Sequence, residues 1–337
     1  MDLLTKMINS DATMASELTH ALEKVEDLLH ETSNVDDLMV AGAVTHLTRA
    51  GGKRLRPALC LLTARLGPNS LSPEVYDAAV LVELTHIATL YHDDVMDEAP
   101  LRRGVPSAHY LYGNSSAILA GDVLFARASS IAAKLGPEAV RLHAETFERL
   151  CLGQLQETIG PSAEEDPIAH YINVLAGKTG SLIASSGRYG VMFSGGSREL
   201  ADDIAQYGEK VGVAFQIADD VIDLVSDPEV TGKTPGTDLL EGVPTMPTLL
   251  LRKHRAEGTL DQAGEEILDF LETKNLNEGD NLAQVVGMLR AHSVVEETRA
   301  LAHQWIDEAV DHLANVPEGE VKQALELFAR AMVDRYA

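Results

Sequence analysis

Two short runs carry carboxylates at a repeated spacing. His92-Asp93-Asp94-Val95-Met96-Asp97 is one, and Gln216-Ile217-Ala218-Asp219-Asp220-Val221-Ile222-Asp223 is the other. In each, the first and last aspartates are i and i+4 neighbours on one helical face. Like charges there repel, and carboxylates near a helix C-terminus oppose the macrodipole. Each ladder therefore calls for a cation. Hard divalent ions, Mg2+ above all, take carboxylate oxygens and share substrate phosphates while keeping several waters. The bland alternative is a pair of solvated acidic faces, and chance supplies two such motifs in about one chain in a hundred. Flanking residues 80–90 and 211–218 are largely apolar, so the ladders terminate buried helices rather than solvated ones.

Cations stand close to both. Gly51-Gly52-Lys53-Arg54-Leu55-Arg56-Pro57 opens a helix after two glycines. Free backbone N–H groups, the positive dipole end and several cations make an anion site there. Arg102-Arg103-Gly104 follows the first ladder, Lys178-Thr179 falls in a predicted helix, and Lys233 lies in the loop past the second ladder. The chain holds 27 Lys+Arg against 52 Asp+Glu, a formal net charge of −25. Few cations, set beside aspartate clusters, read as a magnesium–diphosphate binder. His86, on the helix of the first ladder, is either a satisfied core histidine or a phosphate donor among these cations.

The elements that position these groups are helices. Residues 4–31, 35–48, 57–66, 74–98, 114–134, 137–157, 167–193 and 198–226 carry helical apolar spacing, several bounded by Gly or Pro. No proline falls between Ile168 and Asp227, nor between Thr248 and Val316. An interior proline costs a helix about 3 kcal/mol, so these stretches read as long helices. The loop at 227–247 holds four prolines and three glycines, after which helix resumes with breaks near Gly258, Gly279 and Pro317. Aromatics are only 4% of the chain and β-branched alternation is scarce, which argues against sheets. The expected fold is all-α, one domain over residues 1–337.

Composition excludes several classes. A charge of −25 without a basic stripe argues against nucleic acid, which needs a cationic footprint. Two cysteines, Cys60 and Cys151, build neither a disulfide nor a zinc framework. No apolar run approaches the roughly 18 residues read as a membrane span, and the first ten residues do not read as a signal peptide. A cytoplasmic protein with at most peripheral membrane contact is expected.

Taken together these motifs resemble the trans-isoprenyl diphosphate synthases, or polyprenyl synthetases. The likeness rests on Gly52-Lys53-Arg54-Leu55-Arg56-Pro57, Glu83-Leu84-Thr85-His86, the first Asp-rich motif with Arg102-Arg103-Gly104, and Gly121-Asp122. It continues through Gly177-Lys178-Thr179, Phe215-Gln216 with the second Asp-rich motif, and Gly232-Lys233 to Gly236-Thr237-Asp238. The resemblance implies a bundle of long helices around a central cavity, and a homodimer. By it, Asp93, Asp97, Asp219 and Asp223 hold Mg2+ on an allylic prenyl diphosphate that Arg102, Lys178 and Lys233 also bind. Lys53, Arg56, His86 and Arg103 hold isopentenyl diphosphate, while Thr179 and Gln216 line the allylic site. One departure is Gly242-Val243-Pro244-Thr245-Met246-Pro247, where Val243 replaces the family's usual lysine.

Product length follows from the first-ladder helix. Thr85, Ala88 and Thr89 lie below Asp93 by helical stacking and are small, where short-chain relatives carry aromatics. An open tunnel and a medium- to long-chain product are expected. The competing readings are a short-chain farnesyl or geranylgeranyl diphosphate synthase, a terpene cyclase, and a non-catalytic subunit of a heteromeric synthase.

Overall fold

The computed structural model describes residues 12–226 and 235–334. Fifteen of its helices need naming: α1 (Ala12–Ser33), α2 (Leu38–Arg49), α3 (Leu55–Ala64), α4 (Pro73–Met96), α5 (Ala108–Tyr112), α6 (Asn114–Leu135), α7 (Pro137–Ile159), α8 (Pro167–Leu175), α9 (Ser181–Phe193), α10 (Arg198–Val225), α11 (Thr237–Glu241), α12 (Met246–Glu257), α13 (Gln262–Thr273), α14 (Asn281–Ala291) and α15 (Val294–Asp311). A sixteenth, α16 (Glu320–Val333), closes the described chain. The fold is all-α. Among the described residues, sheet is confined to one hairpin, β1 (Leu101–Arg102) against β2 (Val105–Pro106).

Contacts divide the chain into two compact units. Of the described residues, the first comprises 12–149, 181–208 and 312–327; the second comprises 150–180, 209–226, 235–311 and 328–334.

In the first unit α4 is the central helix. Ser72 caps it by accepting from the Val75 amide, and Pro73 sits at a position whose N–H would be orphaned anyway. It is apolar nearly all round, as a helix enclosed by neighbours must be. Tyr91 ties it to α2, donating to the Ala43 carbonyl at 2.6 Å and accepting from the Leu47 amide at 3.2 Å. α3 is tied to α9, its Thr63 hydroxyl donating to the Gly187 carbonyl at 2.9 Å. α6 is long and apolar enough, by length and composition alone, to cross a membrane. That revises the expectation that no run approaches such a length; its Ser, Gly, Asp122 and Arg127 had broken the run up. Ala117, Ala120, Leu124, Ala128 and Ala132 bury one face of it, the pattern of a core helix.

The second unit takes α10 from Glu209 onward, and α12 to α15 pack in it as shorter helices. Arg255 of α12 reaches Glu265, Asp269 and Glu272 of α13, and His254 meets Glu297 of α15 at 2.9 Å. α12 starts with a reciprocal Thr245–Thr248 capping box and Pro247, two residues earlier than proline counting placed it.

The expected helix over 167–193 is interrupted. Residues Ala176–Gly180 form a π-turn between α8 and α9, and its sequence, Ala-Gly-Lys-Thr-Gly, holds Lys178 and Thr179. Proline absence could not reveal this, because a π-bulge keeps the chain helical while adding one residue to the turn. Lys233 lies outside the described residues.

Candidate active site

In the first unit Arg54, Arg56 and Arg103 stand around one carboxylate, Glu83. Arg54 and Arg103 are both in the left-handed region, with φ of 49° and 54°. Non-glycine residues are held there only where surrounding contacts over-determine them. Arg54 donates to Glu26 at 2.7 and 2.8 Å, to Glu83 at 2.8 Å and to the Thr48 carbonyl at 3.2 Å. Arg103 donates to the carbonyls of Leu47 and Gly51 and stands 3.8 Å from Glu83. A Cβ on Gly52, whose φ is +156°, would meet the Arg103 guanidinium at 3.0 Å. Glycine at 52 is what lets the loop lie against that arginine.

Arg56 is different. Its Nε is buried and has no hydrogen-bond partner, and burial draws its guanidinium down to about 10 despite nearby Glu83. An orphaned buried donor on a cation is unfavourable unless an anion completes it. His86 shares this pocket. Burial, and then the charges of Arg56, Arg103, Arg102 and Arg54, push its imidazole well below the ordinary range, so it is neutral at pH 7. A neutral imidazole offers one N–H and one lone pair, and beside Arg56 the N–H suits a phosphate oxygen. Lys53 is exposed at the mouth of the α3 turn.

The first ladder ends α4 above this pocket's helix, and its three aspartates part company. Asp94 turns inward, fully buried, and takes the Arg102 Nε at 2.6 Å. Burial raises its pKa in spite of that arginine, and its other oxygen has no partner. Asp93 is half-buried and Asp97 exposed, one turn apart. Arg102 and Arg103 are placed by the β1–β2 turn, which closes through Gly104 at φ +79°. Below the ladder, Thr85 and Ala88 are fully buried, and Thr89 is half-buried with its hydroxyl donated to the His86 carbonyl at 2.8 Å. A ring sequence runs beside them, His92 to Phe125 at 5.7 Å and Phe125 to Phe147 at 4.3 Å.

The second unit repeats the division of labour. Asp220 is buried, accepts both from Tyr171 Oη, at 2.7 and 2.9 Å, and from the Met246 amide at 2.8 Å. Burial raises its pKa strongly, and raises that of Tyr171 as well. Asp219 is half-buried on the other side of α10, and Asp223 receives the first amides of α11, Thr237 and Asp238, at 3.3 and 3.4 Å. Lys178 is half-buried on the π-turn with its Nζ 2.5 Å from Glu157. Thr179 is buried and Gln216 half-buried. The π-turn can lie against α10 only because both partners lack side chains there: a Cβ on Gly212 would stand 2.6 Å from the Gly180 Cα.

Among the described residues no three His, Cys, Asp or Glu side chains form a ready-made metal nest. Paired carboxylates one turn apart suit an ion that keeps waters and shares substrate phosphates, as Mg2+ does. The donor set fits that ion better than a caged one.

Comparison with known proteins agrees with this geometry. A family model for polyprenyl synthetases matches residues 37–295. The chain belongs to the polyprenyl synthetase family. It is therefore a prenyltransferase. The synthetase is 40% identical over 328 residues to a nonaprenyl diphosphate synthase of Mycobacterium tuberculosis, covering 97% of this chain and 96% of that one. A solved geranylgeranyl pyrophosphate synthase from Corynebacterium glutamicum, complexed with calcium and isoprenyl diphosphate, is 41% identical. Its TM-score is 0.85, over 97% of this chain and 98% of that one. A decaprenyl diphosphate synthase from Rhodobacter capsulatus is 30% identical with a TM-score of 0.83, over 96% and 99% of the two chains.

Motif reading passed over Glu26 and Gln154. Glu26, Arg54 and Glu83 build the framework beneath Arg56, and Gln154 of α7 carries a buried amide oxygen without a partner. Glu26 sits in an unremarkable acidic stretch, and only its long-range pairing gives it meaning.

Proposed function

We propose that this synthetase condenses an allylic prenyl diphosphate with isopentenyl diphosphate and yields a medium- to long-chain trans-polyprenyl diphosphate. The observation that carries the reading is Arg56, a half-buried cation whose buried Nε is an unmet donor, beside neutral His86 on the helix that ends in the first ladder. With Lys53 and Arg103 they would bind the isopentenyl diphosphate. Arg102, Lys178 and Lys233 would bind the allylic diphosphate, with Thr179 and Gln216 lining its reacting end.

Asp93, Asp97, Asp219 and Asp223 would hold Mg2+, which supplies charge neutralisation for the departing pyrophosphate. The chain's own cations orient both diphosphates so that the allylic C–O bond breaks and the isopentenyl double bond attacks the resulting cation. A proton is then lost, with released pyrophosphate as its acceptor. Buried apolar walls around α4 exclude water, which would otherwise quench the cation. The two units act as one catalytic domain, a reading supported by a family model that spans both. Exposed Tyr110, Leu111, Ile118 and Leu119 on α5 and α6 support a homodimer, since a patch of this kind marks an association surface. Cytoplasmic residence with at most peripheral bilayer contact completes the proposal.

The test is incubation with farnesyl diphosphate, labelled isopentenyl diphosphate and Mg2+, followed by product chromatography. Elongated linear product from the protein alone supports the reading. No product, or a cyclic hydrocarbon, refutes it. A geranylgeranyl product would favour the shorter-chain reading, which the name of the 41%-identical Corynebacterium enzyme keeps in play.

A further inference from the structure

Asp223 stands in the last turn of α10, where the final carbonyls of a helix have no partner within it. Their partners come mostly from far along the chain. The Ile222 carbonyl accepts from the nearby Ser226 amide at 2.9 Å, but the Asp223 carbonyl accepts from the Gly236 amide, also at 2.9 Å. The Leu224 carbonyl accepts from Arg290 Nε, and the Ser226 carbonyl accepts from the same guanidinium at 3.0 Å. Arg290 belongs to α14 and lies 66 positions beyond Leu224. Lys178, Lys210 and Arg255 of this unit pair with carboxylates, whereas Arg290 bridges two backbone carbonyls. Carboxylates at a helix C-terminus oppose the macrodipole, and a cation on the last carbonyls offsets that cost within the protein itself.

α14 meets the same place a second time. Gly236 has φ of +79°, and a Cβ on it would stand 2.5 Å from Val286 and 3.1 Å from Leu282. The chain entering α11 therefore lies directly against α14. Leu282, Val286 and Arg290 are spaced i, i+4 and i+8, which puts them on one face of that helix. The Asp223 carboxylate accepts the Thr237 and Asp238 amides just past Gly236, so its orientation depends on two chain segments staying in register. One face of α14 holds both of them.

We propose that the Leu282–Val286–Arg290 face of α14 braces the second ladder, and that Arg290 is a positioning residue for metal binding. It acts through the end of α10 on Asp223 and not on the substrate. The inference rests on the reading of Asp219 and Asp223 as residues that hold Mg2+.

Calorimetric titration of the full chain with Mg2+, in the presence of inorganic pyrophosphate, reads the brace without turnover. Arg290→Gln should weaken Mg2+ binding by about tenfold or more, the usual effect of removing a group that orients a metal-holding side chain. Arg290→Lys keeps the charge but cannot fork across two carbonyls, so it should recover little of the loss. Val286→Ala removes support from Gly236 without changing any charge, and should weaken binding in the same direction. The KM for isopentenyl diphosphate should stay unchanged in Arg290→Gln, because the residues proposed for that substrate lie in the first unit. Asp223→Asn tests the underlying reading. Weakened binding in Asp223→Asn beside unchanged binding in Arg290→Gln would overturn the brace alone. If Asp223→Asn also binds as the parent does, the metal reading falls and the brace falls with it. Full recovery in Arg290→Lys, or an equal rise in the KM for isopentenyl diphosphate, would overturn the positioning role.

Discussion

Arg54 and Glu83, 29 positions apart, meet at 2.8 Å with both side chains almost wholly out of solvent. The pair is the base on which the anion pocket stands. Glu26 holds the other edge of the guanidinium, so α1, α3 and α4 are tied through one arginine. Burial of the ions is unfavourable, and the hydrogen bonds offset it only while every partner is present. Glu83→Gln therefore removes one of the two counter-charges of Arg54 and leaves Arg103 and Arg56 without the carboxylate they share. We expect a loss of about 3 kcal/mol or more in unfolding free energy by urea titration. A loss under about 0.5 kcal/mol, the range of ordinary surface substitutions, would contradict this account.

The aspartate ladders divide into working and anchoring members, and substitutions should separate them. Asp93→Asn keeps shape but removes an outward carboxylate, so kcat should fall on the order of a hundredfold with the fold intact. Asp94→Asn and Tyr171→Phe instead break buried anchors, Asp94 to Arg102 and Tyr171 to Asp220. Each should lower stability by about 1–3 kcal/mol. Chemical denaturation run beside initial rates gives both numbers. Equal stability losses at Asp93 and Asp94 would defeat the division.

Much of this site was readable from residue types, and the parts that were not share a cause. The ladders and the Gly51 to Pro57 cluster announce themselves because charge so concentrated at helix ends needs a partner. Which aspartate turns inward is set by neighbours far along the chain: Arg102 across the hairpin for Asp94, and Tyr171 and Met246 for Asp220. Arg54 reads as one more pocket cation until Glu26 and Glu83 are seen to consume it. Helix limits fell within a few residues wherever Ser-Pro, Asp-Pro or Gly marked them. The π-turn escaped because Gly177 and Gly180 are compatible with an unbroken helix, and the requirement for them comes from α10 packing against that turn.

His86 gives a pH dependence with a definite sign. Its folded pKa lies well below the ordinary imidazole value, from burial first and the surrounding arginines second. At pH above about 6.5 the group is neutral in both states and contributes nothing. As pH falls below that value the unfolded chain takes up a proton that the folded pocket refuses, so stability declines toward acid. The slope from this one group reaches about 1.4 kcal/mol per pH unit. Unfolding free energies measured between pH 7 and roughly pH 5 should therefore fall less steeply in His86→Gln than in the parent. Parallel curves would show that His86 is not held neutral by its surroundings.

Product length should respond to the α4 face beneath the first ladder. Ala88 is fully buried four residues from His92, and its carbonyl lies 3.1 Å from where a Cβ on Gly121 would stand. α4 and α6 are thus in close contact at this level, and there is no slack for a large side chain to move aside. Ala88→Phe must project its ring into whatever space the growing chain uses, or displace α6. The first outcome shortens the product distribution with turnover retained. The second shows as a drop in stability of about 1–3 kcal/mol, the usual cost of overpacking. Thr89→Phe, half-buried and one position on, relieves the packing problem and should shorten the products with little loss of stability. Chromatography of the dephosphorylated prenyl alcohols from both variants reads the result directly. An unchanged distribution in Thr89→Phe, with the protein folded and active, would move length control off this helix and toward the His92–Phe125–Phe147 ring sequence, where Phe147→Ala would then be the substitution that lengthens the product.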